Sequence, residues 1–509
     1  MIWIRRIAIL ATLVLMFSFA AWAVPRAMDP SKKGPEKRAK DRRWVNTSPY
    51  FWDRQACRWV SLCGLHHLRK DPAARGDEFD DDMRGELKRR ATNWEEDAPK
   101  VNRKRDTKGR RRILQDVPEY VTRYAPLVHL YSGEEFWPSD IKEHVEHMTV
   151  YVDDKPMNTT KDEEKWTLDN LHKLNNVKGK VILRSDDDVE SRPTWLHSHD
   201  NIPNPFESDP SADPDDSPDN GNDGGRIEDE PTNWYDVDKD HPLHRITDPR
   251  QHRQRRSDRD HAKRLTARGY KPDDDGFSAA PAVLVVVDKG GGVIDAFWFF
   301  FYSYNLGQTV LGVRFGNHVG DWEHCMVRFE NGHPRGVFFS EHEGGQAYAW
   351  DAVEKSKDGR PIIYSAVGSH AMYSLPGDHP YIIPFGLLKD VTDKGPLWDP
   401  ALNNYAYHYD YEAGFRHKMP KDEFDQGEPH GLVPAAKNPS APTSWFHFAG
   451  RWGDDVYSLA DPRQWRFFGQ YHYVMGPDGP KFKELYRSKM CQTEKCRISY
   501  KLDPHGKWY

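Results

Sequence analysis

Neither sign of charge dominates this chain: 73 Lys and Arg stand against 79 Asp and Glu, a formal net charge of −6 over 509 residues. Without a basic excess the chain does not read as a nucleic-acid binder. Apolar residues are scarce too, at 37%, while 30% of residues are charged, so part of the chain must be solvated linker or tail. Cysteine is rare, with five in all: Cys57, Cys63, Cys325, Cys491 and Cys496. Two catalytic signatures are missing. No Gly-x-Ser-x-Gly is present, which removes support for a nucleophile elbow, and no His-Glu-x-x-His marks a zinc helix. No internal repeat is visible. What the chain has in quantity is aromatic residues, with 18 Trp, 23 Tyr and 23 Phe, enough for a sizeable core where they cluster.

Arg5 and Arg6 precede an apolar run over residues 7–24 that closes on Ala21-Trp22-Ala23. That is the layout of a secretory signal peptide, or, uncleaved, of a signal anchor. The expected location is therefore the secretory pathway: vacuolar, extracellular or membrane-anchored. In that compartment Cys57 with Cys63 and Cys491 with Cys496 make the simplest disulfide loops, although four cysteines allow three pairings. Cys325, in a strand-like run, reads as a buried free thiol. Asn46-Thr-Ser and Asn158-Thr-Thr are glycosylation acceptors.

Residues 25–116 are charge-rich and poor in aliphatics, which predicts an exposed stalk with a small cysteine-tied segment. A domain is expected over residues 117–502, interrupted at about 185–265. Within that interval residues 207–230 hold ten Asp/Glu against one Arg, the composition of a disordered acidic insertion. Asp219, Asp223, Gly224 and Glu230 match part of a calcium loop. Gly221 stands where a ligand is needed, however, and the match is discarded. The remaining pattern is mainly β. Tyr124–Tyr131, His144–Val152, Lys180–Arg184, Ala280–Asp288, Val293–Tyr304, Asp321–Phe329, Arg335–Glu343 and Ile362–Val367 read as strands. Asn331-Gly332 signals a hairpin. A β-sandwich-like core with peripheral helices follows.

The stretch Gly316-Asn-His-Val-Gly-Asp-Trp-Glu-His324 is the densest in chemistry. Asp321 and Glu323 alternate onto one face of a strand, and Gly320 lets the chain bring His318 to that face. Two carboxylates and an imidazole suit a divalent cation, Ca or Mg, with His370 as a further ligand or supporting donor. Glu341, His342, Glu343, Ser369, Asp378 and His379 lie on adjacent segments.

Tyr124-Ala-Pro-Leu-Val-His-Leu-Tyr131, Phe136-Trp-Pro-Ser-Asp140, Gly320-Asp-Trp-Glu-His324, Glu341-His-Glu-Gly-Gly345, Gly368-Ser-His-Ala371, Gly450-Arg-Trp-Gly-Asp454 and Gly476-Pro-Asp-Gly-Pro480 together resemble the vacuolar protein sorting-associated protein 62 family. The resemblance runs in order from about Val117 to Arg497. It implies a fungal-type protein linked to delivery of cargo to the vacuole, and no particular reaction. More locally, His318, Asp321 and Glu323 resemble the cation ligands of necrosis-inducing cytolysins. Those are β-sandwiches that use the ion in recognising membrane lipid headgroups, although the Asp expected before the His is missing here. A secretory-pathway binding protein is the leading expectation, more in keeping with the chain than an enzyme, with vacuolar cargo or lipid headgroups as partners. The rivals are a cytolysin-like headgroup binder and a metal-dependent hydrolase with Glu323 or His370 as general base.

Overall fold

The structure is a computed structural model describing residues 2–29, 34–69, 116–157, 165–198, 270–273, 275–342, 344–380, 389–413, 431–493 and 497–502. The expected acidic insertion, Asn158, Cys496 and Glu343 lie outside the described residues.

Twelve strands carry the argument: β1 (Leu127–His129), β2 (Ala282–Gly290), β3 (Val293–Asn305), β4 (His318–Glu330), β5 (His333–Glu341), β6 (Gly344–Ala349), β7 (Ile362–Ser365), β8 (Met372–Tyr373), β9 (Leu397–Trp398), β10 (Asn404–Tyr409), β11 (Leu432–Pro434) and β12 (Ile498–Ser499). Eight form one sheet in the order β11-β10-β2-β3-β4-β5-β6-β12, and four form a smaller sheet, β8-β7-β1-β9. The large sheet is antiparallel at its centre, with parallel pairs of β10 on β2 and of β6 on β12 and an antiparallel edge strand, β11 on β10. Asn331 and Gly332, both at positive φ, make the expected turn between β4 and β5.

Both faces of the large sheet are covered, which explains why its central strands are apolar at nearly every position rather than alternating. Phe297, Phe299 and Phe301 of β3 enter one core with Trp322, Trp445, Phe446 and Trp452. Ala296, Trp298, Phe300 and Tyr302 enter the other, where Val128, Ile363, Met372 and Trp398 arrive from the small sheet. The molecule is thus mainly β, with a sandwich-like core.

Three expectations need correction. His144–Val152 is strand only over Met148–Val152; Ile141–Glu146 is helical, because the Asp140 side chain accepts from the Lys142 N–H at 2.9 Å and caps it. The expected interruption from residue 185 does not hold for its first residues, since Val189, Trp195 and Leu196 are buried in two short helical turns. The stalk assignment fails for residues 34–69. Helices α1 (Ile2–Met28), α2 (Pro35–Val45) and α3 (Phe51–Val60) are followed by Leu62–Cys63, which pairs with Arg466–Phe467. Aliphatic scarcity misled here, because the docking is polar and aromatic. Arg466 is fully buried, pairs with Asp41 at 2.6 Å and stacks over the rings of Trp44 and Tyr471. Val45, Cys57, Cys63 and Leu459 make the small apolar cluster beneath.

Among the described side chains, no helix offers a continuous apolar stretch long enough to cross a membrane. For α1, side-chain exposure is described only at Trp3, residues 10–20, Trp22 and Ala23.

Candidate functional site: a buried acid–histidine centre

Ordinary alternation along β4 would put His318 on the opposite face from Asp321. Instead the strand resets at Gly320, whose φ is +70°. Val319 and Trp322 both enter the first core, and Tyr304 opposite does the same although Tyr302 does not. A Cβ on residue 320 would sit 1.9 Å from the Trp452 carbonyl oxygen, so only glycine fits. The reset places His318 within electrostatic reach of Asp321, His370 and His342, on the face where Asp321 and Glu323 oppose Tyr302 and Phe300.

On that face the small sheet and its loops deliver the remaining groups. His370, held at φ +55° just after Gly368, stacks on Tyr302 with centroids 3.6 Å apart. Its Nδ1–H donates to Asp321 Oδ2 at 3.0 Å, and its Nε2 faces the Phe136 carbonyl at 3.3 Å and Glu134 Oε1 at 3.7 Å. Glu134 in turn accepts backbone N–H bonds from Glu135, Phe136 and Gly368. Burial alone would lower the His370 pKa, but Glu134 and Asp321 outweigh it and lift it to about 9. A second pair lies beside the first. His342 Nε2 donates to Asp390 Oδ2 at 2.7 Å, and Asp390 also accepts from Ser369, Tyr373 and Gln308. Burial opposes the charges there as well. The pairing still lifts His342 to about 9 and holds Asp390 below its usual range.

Beside these ion pairs lie two acids that, among the described residues, form no salt bridge, although Lys483 acts on Glu323 from a distance. Burial, and then Asp321, push Glu323 up to about 8; its Oε2 accepts the Ser340 hydroxyl. Burial also pushes Glu341 up to about 8, with Asp390 and Glu323 adding to the effect against His342. Among the described residues Glu341 Oε1 is buried without a hydrogen-bond partner. Burial keeps His318 neutral, and its Nδ1–H donates to the Gly320 carbonyl at 2.6 Å, which leaves the lone pair on Nε2.

The expected quartet is therefore brought together, in modified roles. His318, Asp321 and Glu323 share a face. His370 has both ring nitrogens engaged, so it stands as a donor holding Asp321 rather than as a ligand. Among the described residues, no three His, Cys, Asp or Glu side chains converge tightly enough to hold a metal ion as they stand. Sequence reading missed Glu134 and Asp390. Glu134 follows the Tyr131-Ser-Gly turn between two of the quoted motifs. Asp390 lies in a short strand, Lys389–Thr392, with no local signal.

Elsewhere the disulfide Cys57–Cys63 is formed, Cys491 is disulfide-bonded, and Cys325 is free and buried in the second core. Asn46 is exposed at the end of α2.

A mainly β protein with a covered central sheet and a buried acid–histidine centre is the class these features define. Residues 283–382, which hold most of that centre, match the model of the family described as vacuolar protein sorting-associated protein 62. The chain is 34% identical over 408 residues to vacuolar protein sorting-associated protein TDA6 of Saccharomyces cerevisiae, covering 74% of this chain and 68% of that one. It is 33% identical over 403 residues to vacuolar protein sorting-associated protein 62 of the same yeast, with 75% and 68% covered. The chain belongs to the vacuolar protein sorting-associated protein 62 family. Among solved structures, Necrosis and Ethylene inducing Protein 2 from the agent of cocoa's Witches Broom disease overlaps 19% of this chain and 45% of its own. That overlap is at 20% identity and a TM-score of 0.16, too slight to support any argument.

Proposed function

We propose that this protein is a secretory-pathway binding protein acting in delivery of proteins to the vacuole, and that its acid–histidine centre takes a divalent cation, Ca or Mg. The observation that carries the cation is the state of Glu323 and Glu341. Two buried carboxyls pushed up to about 8, one with an unpartnered oxygen, form a site where a hard cation would replace the protons and supply the missing charge. His318 offers a neutral Nε2, with Nδ1–H tied to a carbonyl in the way that fixes a ligating tautomer. Asp321 keeps Oδ1 for the ion while His370 holds Oδ2. The carboxylates and His318 would close on the ion by side-chain rotation, since the backbone already places them on one face. The vacuolar role rests on the family, and the secretory route on the run at residues 7–24.

Metal analysis of protein purified without chelator, with thermal unfolding titrated by Ca and Mg salts, tests the site. The expected result is bound ion or ion-dependent stabilisation in the wild type, and affinity lowered by about tenfold or more in Asp321→Asn and Glu323→Gln. Equal responses in wild type and both variants would remove the cation from this centre.

A further inference from the structure

Helix α3 is built inside out. Asp53 and Cys57, four residues apart, face the protein: Asp53 accepts the Gly64 N–H at 2.6 Å and Cys57 is locked to Cys63. The opposite face carries Trp52, 79% exposed, and Trp59, 58% exposed, seven residues apart and so two turns along one side of the helix. Phe51 stands exposed beside Trp52 with their rings 5.2 Å apart, and Tyr50, next in the chain, and Leu65 and Leu68, in the segment after the helix, are exposed as well. Exposed apolar patches of this kind on soluble proteins mark interaction surfaces.

We propose that this face of α3, continuous with the apolar helix α1, is the surface by which the protein seats on a lipid bilayer with anionic headgroups. Three features select that partner over a second protein. The first is composition. Two Trp and a Tyr beside Phe and Leu are amphipathic rings of the kind that settle at the headgroup level, the indole N–H toward water. The second is charge. Lys37, Arg38, Lys40, Arg42 and Arg43 of α2 are all exposed against one exposed acid, Glu36, whereas Asp41 is buried against Arg466 and Asp53 is buried on the inner side of α3. The exposed surface around the aromatic patch is therefore basic, and each such group near an anionic surface adds attraction that salt removes. The third is continuity. The chain leaving α1 is pinned at Asp29, which is fully buried, accepts the Ser61 hydroxyl at 2.8 Å and faces Arg466. α1 and α3 are in contact, and α1 carries exposed Leu10, Leu13, Leu15, Phe17 and Phe19. A bilayer reached by α1 is thus already beside α3.

The test mixes full-length protein with vesicles of brominated phosphatidylcholine, with and without phosphatidylserine, and reads flotation and tryptophan quenching. Of the fifteen described Trp residues nine are buried, so among them quenching reports the exposed ones. Expected in the wild type are quenching and flotation that rise several-fold with phosphatidylserine and fall in high salt. Trp52→Phe/Trp59→Phe should still float but lose most of the quenched emission, while Trp52→Ser/Trp59→Ser should lose the phosphatidylserine-dependent gain with an unchanged unfolding midpoint. Quenching undiminished in the Phe variant would assign the contact to Trp3 and Trp22 of α1 and overturn the proposal. So would an absence of quenching, or protein that self-associates through α3 without binding vesicles.

Discussion

His370 lies flat on Tyr302, 2° from parallel with ring centroids 3.6 Å apart, and in that pose aims Nδ1 at Asp321. The stack fixes the ring plane, and the plane selects the two acceptors, Asp321 on the large sheet and the Glu134 loop beside the small one. One imidazole thereby ties the two sheets together at the site.

His370→Phe should keep the stack while leaving Asp321 and Glu134 as buried acids without their shared cation. Removing one member of a buried charged pair costs roughly 3–5 kcal/mol. Urea unfolding of the variant should show a loss of that order. Adding Asp321→Asn should return part of it, because the second change removes one stranded charge.

Gly320→Ala should cost more than about 4 kcal/mol or abolish folding. The new methyl would overlap the Trp452 carbonyl, and a positive φ is strained for any residue with a side chain. Val319→Ala, in the same core without the backbone constraint, should cost about 2 kcal/mol and keep His318 in place. Comparable losses in the two variants would mean that the reset at residue 320 is unimportant.

The pH dependence of stability without divalent ions follows from the raised acids. Glu323 and Glu341 take up protons at about 8 in the folded state against 4.5 when unfolded. Protonated, they cost nothing; as pH rises from about 4.5 to 8 the folded state is progressively penalised. His342 and His370 act in the same direction. Their stabilisation is complete below 6.5 and is lost as pH passes 9. Stability should therefore decline from pH 7 to pH 9, above the range in which the buried, neutral His144, His318, His324 and His379 pull the other way, and Glu323→Gln should flatten the curve. Added cation should restore stability most at the alkaline end, with proton release on binding measurable by calorimetry in buffers of different ionisation enthalpy.

Denatured, unreduced protein should expose one titratable thiol, that of Cys325. Replacing Cys57 and Cys63 together by Ala should cost about 2 kcal/mol, the value for so short a loop. The loss should appear as local opening of α3 in hydrogen exchange, with the central sheet protected.

Much of this was legible without the tertiary structure. Glycines and Asn331-Gly332 bounded β2 to β5 because turn chemistry is local, and Gly320 announced that His318, Asp321 and Glu323 would meet. The local disulfide Cys57–Cys63 is the simplest of three pairings that spacing left open, and the buried thiol of Cys325 was legible in its apolar surroundings. Other features were not local. The docking of α2 and α3 depends on Arg466, more than four hundred residues from its partner Asp41, and no run of aliphatic residues marks it. Glu134 and Asp390 enter the site from separate segments, so nothing near either one signals its partner. The sequence by itself determined a strand-rich chain with an acidic, histidine-bearing strand. Only the packing of two sheets decided which histidines hold charge, because that depends on which carboxylates are buried beside each imidazole.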